Sequence, residues 1–133
     1  MFMPFKLNAD MLHFKDQIQY LSSDNGVDLY KAKEGFKTHL LGFAVSKINL
    51  YFFEGSLITI YIRFHKNAGD LSKLKSSLEK VIQKQAKLIE TDTGYVHYWQ
   101  IDDQFLGLMI QDKERVILLY NSLNKFNIFN QYL

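Results

Sequence analysis

The sequence predicts an α+β fold, an antiparallel β-sheet of about five to six strands with two amphipathic helices packed on one face. Three observations carry this. Residues 48–64, INLYFFEGSLITIYIRF, are rich in β-branched and aromatic residues on both sides of a Glu54-Gly55 break, the composition of two strands and a turn. Apolar residues recur at helical spacing twice, once around Met11 and again after Asp70. After Gly94, strand-like segments follow one another with connections too short for anything but antiparallel neighbours.

The first helix is expected from Asn8, a capping residue, with Met11, Phe14, Ile18 and Leu21 on one side and Ser22-Ser23-Asp24-Asn25-Gly26 ending it. In residues 27–42, Phe36, Thr38 and Leu40 alternate with Lys37, His39 and Leu41, the pattern of a strand, and Gly35 and Gly42 mark bends.

The aromatic stretch is too interrupted, by Asn49, Glu54 and Arg63, for a membrane helix, which needs about 20 apolar residues in succession. It reads as a hairpin with a three-residue Phe53-Glu54-Gly55 loop and Gly55 in the left-handed region. That register pairs Phe52 with Ser56, Leu50 with Ile58 and Ile48 with Ile60. Ile48, Leu50, Phe52, Ile58, Ile60, Ile62 and Phe64 then face a core, while Lys47, Asn49, Tyr51, Leu57, Thr59, Tyr61 and Arg63 form the other face.

Asn67-Ala68-Gly69 leads to a second helix capped by Asp70, with Leu71, Leu74, Leu78, Val81, Ile82 and Ile89 along one side and a stop near Thr91-Asp92-Thr93-Gly94. Lys73, Lys80, Lys84 and Lys87 occupy its opposite side with only Glu79 to offset them, and a solvated face accounts for such a row. Three strands follow: Tyr95–Ile101, Gln104–Ile110 and Arg115–Asn121, the first two joined at Asp102-Asp103 and the last reached through Gln111-Asp112-Lys113-Glu114. A two-residue turn pairs Trp99 with Leu106, His97 with Leu108 and Tyr98 with Gly107, where an aromatic ring can cover the glycine gap. The tail after Ser122 reads as a short element or a frayed end.

At 133 residues, 47% apolar and 15% aromatic, the chain is expected to form a single domain over 1–133. Sixteen basic against fourteen acidic residues give +2, too balanced for a nucleic-acid footprint. The absence of cysteine excludes disulfides, thiolate nucleophiles and thiolate metal sites. MFMPFKLNAD lacks the basic start and long apolar run of a signal peptide, so the sequence reads as cytoplasmic.

Chemistry finds little purchase. The histidines at 13, 39, 65 and 97 stand singly, without metal-ligand spacing. Asp102 and Asp103 sit where a hairpin turns, which explains them without acid–base roles. Glycine-rich phosphate loops and Gly-x-Ser-x-Gly are missing. No catalytic residue, cofactor or metal is expected.

The phrase Gly42–Ile62, a strand, an acidic-glycine turn and another strand, resembles that of small helix-plus-meander domains, the outer-membrane assembly lipoproteins and the β-lactamase-inhibitor-protein-like group. It covers about a sixth of the chain, and the chain departs from the pattern in having neither a lipobox cysteine nor a disulfide pair. The resemblance implies a domain that binds other proteins and performs no reaction.

The expected function is therefore non-catalytic protein binding, of an inhibitor or immunity type, through a sheet face carrying Tyr51, Leu57, Tyr61, Arg63 and Trp99, with Tyr98 as the alternative to Trp99. A second copy of the chain could occupy the same face. The competing expectation, from a different class, is a small-molecule-binding or enzymatic domain with an apolar pocket near His97 and Trp99.

Overall fold

The computed structural model describes residues 3, 5–36, 38–66, 70–92, 94–111 and 115–122. Among them, nine strands and one α-helix follow in the order β1 (Ile18–Asp24), β2 (Val27–Ala32), β3 (His39–Leu40), β4 (Phe43–Phe53), β5 (Ser56–Phe64), α1 (Leu71–Ile82), β6 (Lys87–Thr91), β7 (Gly94–Ile101), β8 (Gln104–Gln111) and β9 (Arg115–Ser122). The sheet order is β1-β2-β4-β5-β9-β8-β7-β6, with β3 paired to β4 at its side. Two antiparallel meanders thus meet along β5 and β9. This corrects the α+β expectation of five to six strands and two helices: the fold is nearly all β.

The missing helix is the N-terminal one. Asp10, not Asn8, caps a single 3-10 turn at Met11–Phe14, its carboxylate accepting from Leu12 N at 2.9 Å. Ile18 already belongs to a strand, and Asn25-Gly26, with φ of 50° and 84°, is a two-residue hairpin turn into β2. Leu21 falls at a bulge in β1, between Tyr20 and Ser22, and is exposed, so the apparent helical spacing ended by coincidence there. In residues 27–42, β2 precedes the short β3, and Leu41-Gly42 (φ 52° and 83°) turns the chain into β4. Lys37, Asn67-Ala68-Gly69, Thr93, Asp112-Lys113-Glu114 and the tail after Ser122 lie outside the described residues.

The hairpin register is also corrected. Glu54 and Gly55 both have positive φ (52° and 79°), the two-residue turn whose twist matches paired strands, and Phe53 pairs with Ser56. The irregularity expected in the turn lies instead in β5: Phe52 pairs with Leu57 and Tyr51 with Thr59, leaving Ile58 as the extra residue of a bulge. Leu50 consequently pairs with Ile60 and Ile48 with Ile62.

Asp70 caps α1 as expected, accepting from Lys73 N at 2.8 Å. The helix stops earlier than its apolar spacing suggests, at a left-handed Gln83 (φ 62°) whose N–H donates to Glu79 O. The Glu79 carboxylate then accepts from Ala86 N at 2.8 Å, turning the chain into β6, so Ile89 lies on an edge strand rather than on the helix. The β7–β8 register agrees with expectation at Trp99–Leu106, His97–Leu108 and Tyr98–Gly107. A Cβ at Gly107 would come 3.0 Å from Phe105 and 3.3 Å from Val96, and Phe105 stacks on Tyr98 at 5.4 Å. A larger residue there would have to push these side chains aside by a few tenths of an ångström.

The main core occupies one sheet face. Leu50, Phe52, Ile60, Ile62, Leu118 and Leu108 line it, Leu74 and Leu78 of α1 cover one part, and the buried Met3, Phe5 and Leu7 join it from the N-terminal segment. Phe5 packs edge-on against Phe14 at 5.1 Å and stacks on Phe36 at 5.2 Å. Backbone bonds tie that segment to β5, Asn8 N to Leu57 O and Leu57 N to Ala9 O.

Replacing Glu54 by Asn, which tolerates the left-handed region better, should stabilise the chain by about 0.5 kcal/mol, read as a raised thermal midpoint.

Tyr120, buried in the core, donates to Gln104 Oε1, and burial, with Asp103 nearby, pushes its hydroxyl up to about 12. Because the folded value lies above the ordinary tyrosine value near 10, its stabilising contribution is complete below about pH 10 and is lost as pH rises toward about 12. The stability advantage of the parent chain over Tyr120→Phe, measured by denaturant titration, should therefore shrink across that window.

Candidate functional site

The face of the sheet opposite the main core gathers the residues with unassigned chemistry. Register places them in rows. Leu29, Tyr51, Thr59, Asn121 and Phe105 form one row from β2 to β8, and Lys31, Asn49, Tyr61, Leu119 and Gly107 form the next. Lys47, Arg63, Ile117 and Met109 form a third. The bulge adds Ile58, which is 1% exposed and forms a second apolar cluster with Leu119, Tyr51, Phe53, Tyr61 and Met109.

Three of the five residues expected at the site share this face: Tyr51, Tyr61 and Arg63, each half-buried. The other two do not. Leu57, at 0% exposure, lies in the main core because the bulge sits between it and Thr59. Trp99, 2% exposed, belongs to the same core, and its indole N–H donates to Lys84 O at 3.0 Å in the connection between α1 and β6. Tyr98, on the adjacent position of β7, is the residue that reaches the outer face, stacked on Phe105.

Electrostatics divide the face. At its centre, Asn49, Thr59 and Asn121 are buried, and Asn49 Oδ1, Thr59 Oγ1 and both amide atoms of Asn121 have no hydrogen-bond partner among the described residues. Buried polar atoms left in this state each cost about 1–3 kcal/mol. Burial, reinforced by Tyr61, raises the Tyr51 hydroxyl, while a hydrogen bond from Asn49 opposes this. At one end, the Lys47 ammonium lies 5.7 Å from the centre of the Tyr61 ring, within cation–π range. Arg63 Nε donates to the hydroxyl of Ser46, which in turn donates to Arg63 O, both at 3.1 Å. Ser46 sits at the bulge of β4, between Val45 and Lys47.

Around the other candidates the chemistry is sparse. His97 lies between Leu108 and Leu88 on the core side, its pKa lowered by burial and by Lys75, with Glu79 acting against them. The cavity beside Trp99 measures about 130 Å³ and is lined by Lys84, Gln85, Lys87, Tyr98, Trp99 and Gln100, well below the usual volume of a small-molecule site. Among the described residues no three of His, Asp and Glu come together as metal ligands, and no helix is long and apolar enough to cross a membrane.

Sequence reasoning missed Ile58, Leu119, Asn121 and the association of Lys31 and Arg115 with Lys47 and Arg63. Alternation along β4 signals Lys47 and Asn49; the others become neighbours only through the β2–β4 and β5–β9 pairings.

No protein-family model matches the chain, and no curated protein sequence does. Among solved structures, a cysteine-rich secretory protein from Staphylococcus aureus is similar at a TM-score of 0.47 and 10% identity, over 90% of this chain and 46% of that one. The chain thus spans about half of that protein's length.

Thr59→Val should stabilise the chain by on the order of 1 kcal/mol, since it removes a buried hydroxyl without a partner and keeps the β-branched shape. Thr59→Asp, which places a charge at the same buried position, should lower the thermal midpoint sharply. A destabilised Val variant would show that the hydroxyl is hydrogen-bonded, through water for example.

Proposed function

We propose that the chain is a non-catalytic binding domain that recognises another protein through the outer sheet face, with Tyr51, Tyr61 and Arg63 as principal contacts. The observation that carries this is the second apolar cluster. Ile58 and Leu119, flanked by half-buried Tyr51, Phe53 and Tyr61, lie opposite the main core and continue into cationic side chains. Because Ile58 and Leu119 are themselves buried, the side chains a partner can reach are Tyr51, Phe53 and Tyr61 packed over them, and an aromatic patch beside a charged margin is the anatomy of protein-recognition surfaces.

The test uses the tagged full chain to isolate its partner, followed by affinity measurement with the Tyr51→Ala/Tyr61→Ala variant. The double variant should keep its fold by circular dichroism and lose about 2 kcal/mol or more of binding. Unchanged affinity would contradict the assignment, and a purified chain carrying a stoichiometric metabolite would favour ligand binding or catalysis instead.

A further inference from the structure

The chain has a formal charge of only +2, yet its cations are not evenly spread. Lys31 stands opposite Asn49, Lys47 opposite Arg63, and Arg115 two residues before Ile117, the β9 partner of Arg63. Lys33 follows the end of β2 and lines the same cleft as Lys31. These five cations occupy one end of the outer face. Arg63 is engaged with Ser46 and Lys47 lies beside the Tyr61 ring, but none of the five forms an ion pair among the described residues. With sixteen cations and fourteen acids in the chain, such a group reflects separation of charge rather than general basicity.

Shape adds to the charge. Where β2 ends and β4 begins, a cleft of about 290 Å³ is lined by Lys31, Lys33, Lys47, Thr38 and Ser46, with Glu34 as its one carboxylate. Three lysines border this volume, which is larger than a single carboxylate or phosphate group. Like charges held together raise one another's cost: the Lys47 ammonium is disfavoured first by burial and then by Arg63 and Arg115. An anionic partner would relieve that repulsion.

We infer that the protein partner is acidic and that an extended acidic segment of it seats in the cleft formed by Lys31, Lys33 and Lys47, continuing along Arg63 and Arg115. The inference rests on the recognition reading given above and names its chemistry. Aromatic contacts at Tyr51 and Tyr61 supply apolar area, and the cationic end sets orientation and partner choice. Nucleic acid fits less well, because its phosphates need a cationic track along the binding path, whereas here the charges stop at the Asn49–Tyr61 row and give way to Ile58 and Leu119.

The experiment is a titration of the ¹⁵N-labelled full chain with an octaglutamate peptide at low salt, followed by amide shifts. Shifts should centre on Lys31, Lys33, Ser46, Lys47, Arg63 and Arg115, and Lys31→Glu/Lys47→Glu should weaken binding about ten-fold. Lys73→Glu/Lys80→Glu, on exposed α1 positions, should change it by less than about two-fold. Equal losses in the two variants, or shifts centred on α1, would overturn the inference. So would a single-stranded oligonucleotide of matched charge that binds the same residues more tightly, or inorganic phosphate that displaces the peptide at equal concentration. Octaglutamate carries no aromatic or apolar side chain, so the recognition reading is tested separately. A natural protein partner lost by Tyr51→Ala/Tyr61→Ala but kept by Lys31→Glu/Lys47→Glu leaves that reading standing and overturns this inference.

Discussion

The single extra residue at Ile58 is the constraint on which the rest of the molecule depends. A regular hairpin would carry the alternation of β5 unbroken from Ser56 to Phe64. The bulge lets Leu57 and Ile60 both point into the main core and releases Ile58 to the other side. Three consequences follow at different scales. Leu57, fixed inward, exchanges backbone bonds with Asn8 and Ala9 and so anchors the N-terminal segment. Ile60 and Ile62 come into register with Tyr120 and Leu118, which joins the two meanders. Ile58, in the place alternation gives to Leu57, packs with Leu119 on the outer face under Tyr51, Phe53, Tyr61 and Met109.

That division gives the two faces different work. One is closed by α1, by the N-terminal segment and by the aromatic contacts among Phe5, Phe14, Phe36 and Phe52. Its stability comes from buried area, with Trp99 and Tyr120 anchored by side-chain hydrogen bonds to Lys84 O and Gln104. The other combines a small apolar cluster, buried polar atoms that have no partner among the described residues, and a cationic end.

How much of this could be read from the sequence varies with the range of the controlling interaction. The β7–β8 hairpin was legible because a two-residue turn and strict alternation fix Trp99 against Leu106. Register in β4–β5 was not, because glutamate disfavours a positive φ and the sequence logic gave only Gly55 that conformation; paired strands impose it on Glu54 as well. The N-terminal hairpin was hidden by apolar spacing that Met11 and Phe14 satisfy in one 3-10 turn, although Asn25-Gly26 was available as a turn signal. The end of α1 depends on Glu79 reaching Ala86 and on Lys84 O accepting from Trp99, contacts invisible to periodicity. Tyr51, Tyr61 and Arg63 share the outer face as alternation expects, because the bulge changes their cross-strand partners but not the side they occupy. Leu57, on the turn side of the bulge, is turned inward by it, and Trp99 is covered by the connection after α1.

The most direct test of this account is the partner of Ile60 across the β4–β5 hairpin, measured by cross-strand backbone nuclear Overhauser effects in the free protein. The account predicts contacts that place Leu50 opposite Ile60 and Tyr51 opposite Thr59, with Ile58 unpaired. Contacts that instead place Leu50 opposite Ile58 would put Ile58 in the main core and Leu57 on the outer face. The second apolar cluster would then not exist, and the recognition surface built around it would fall with it.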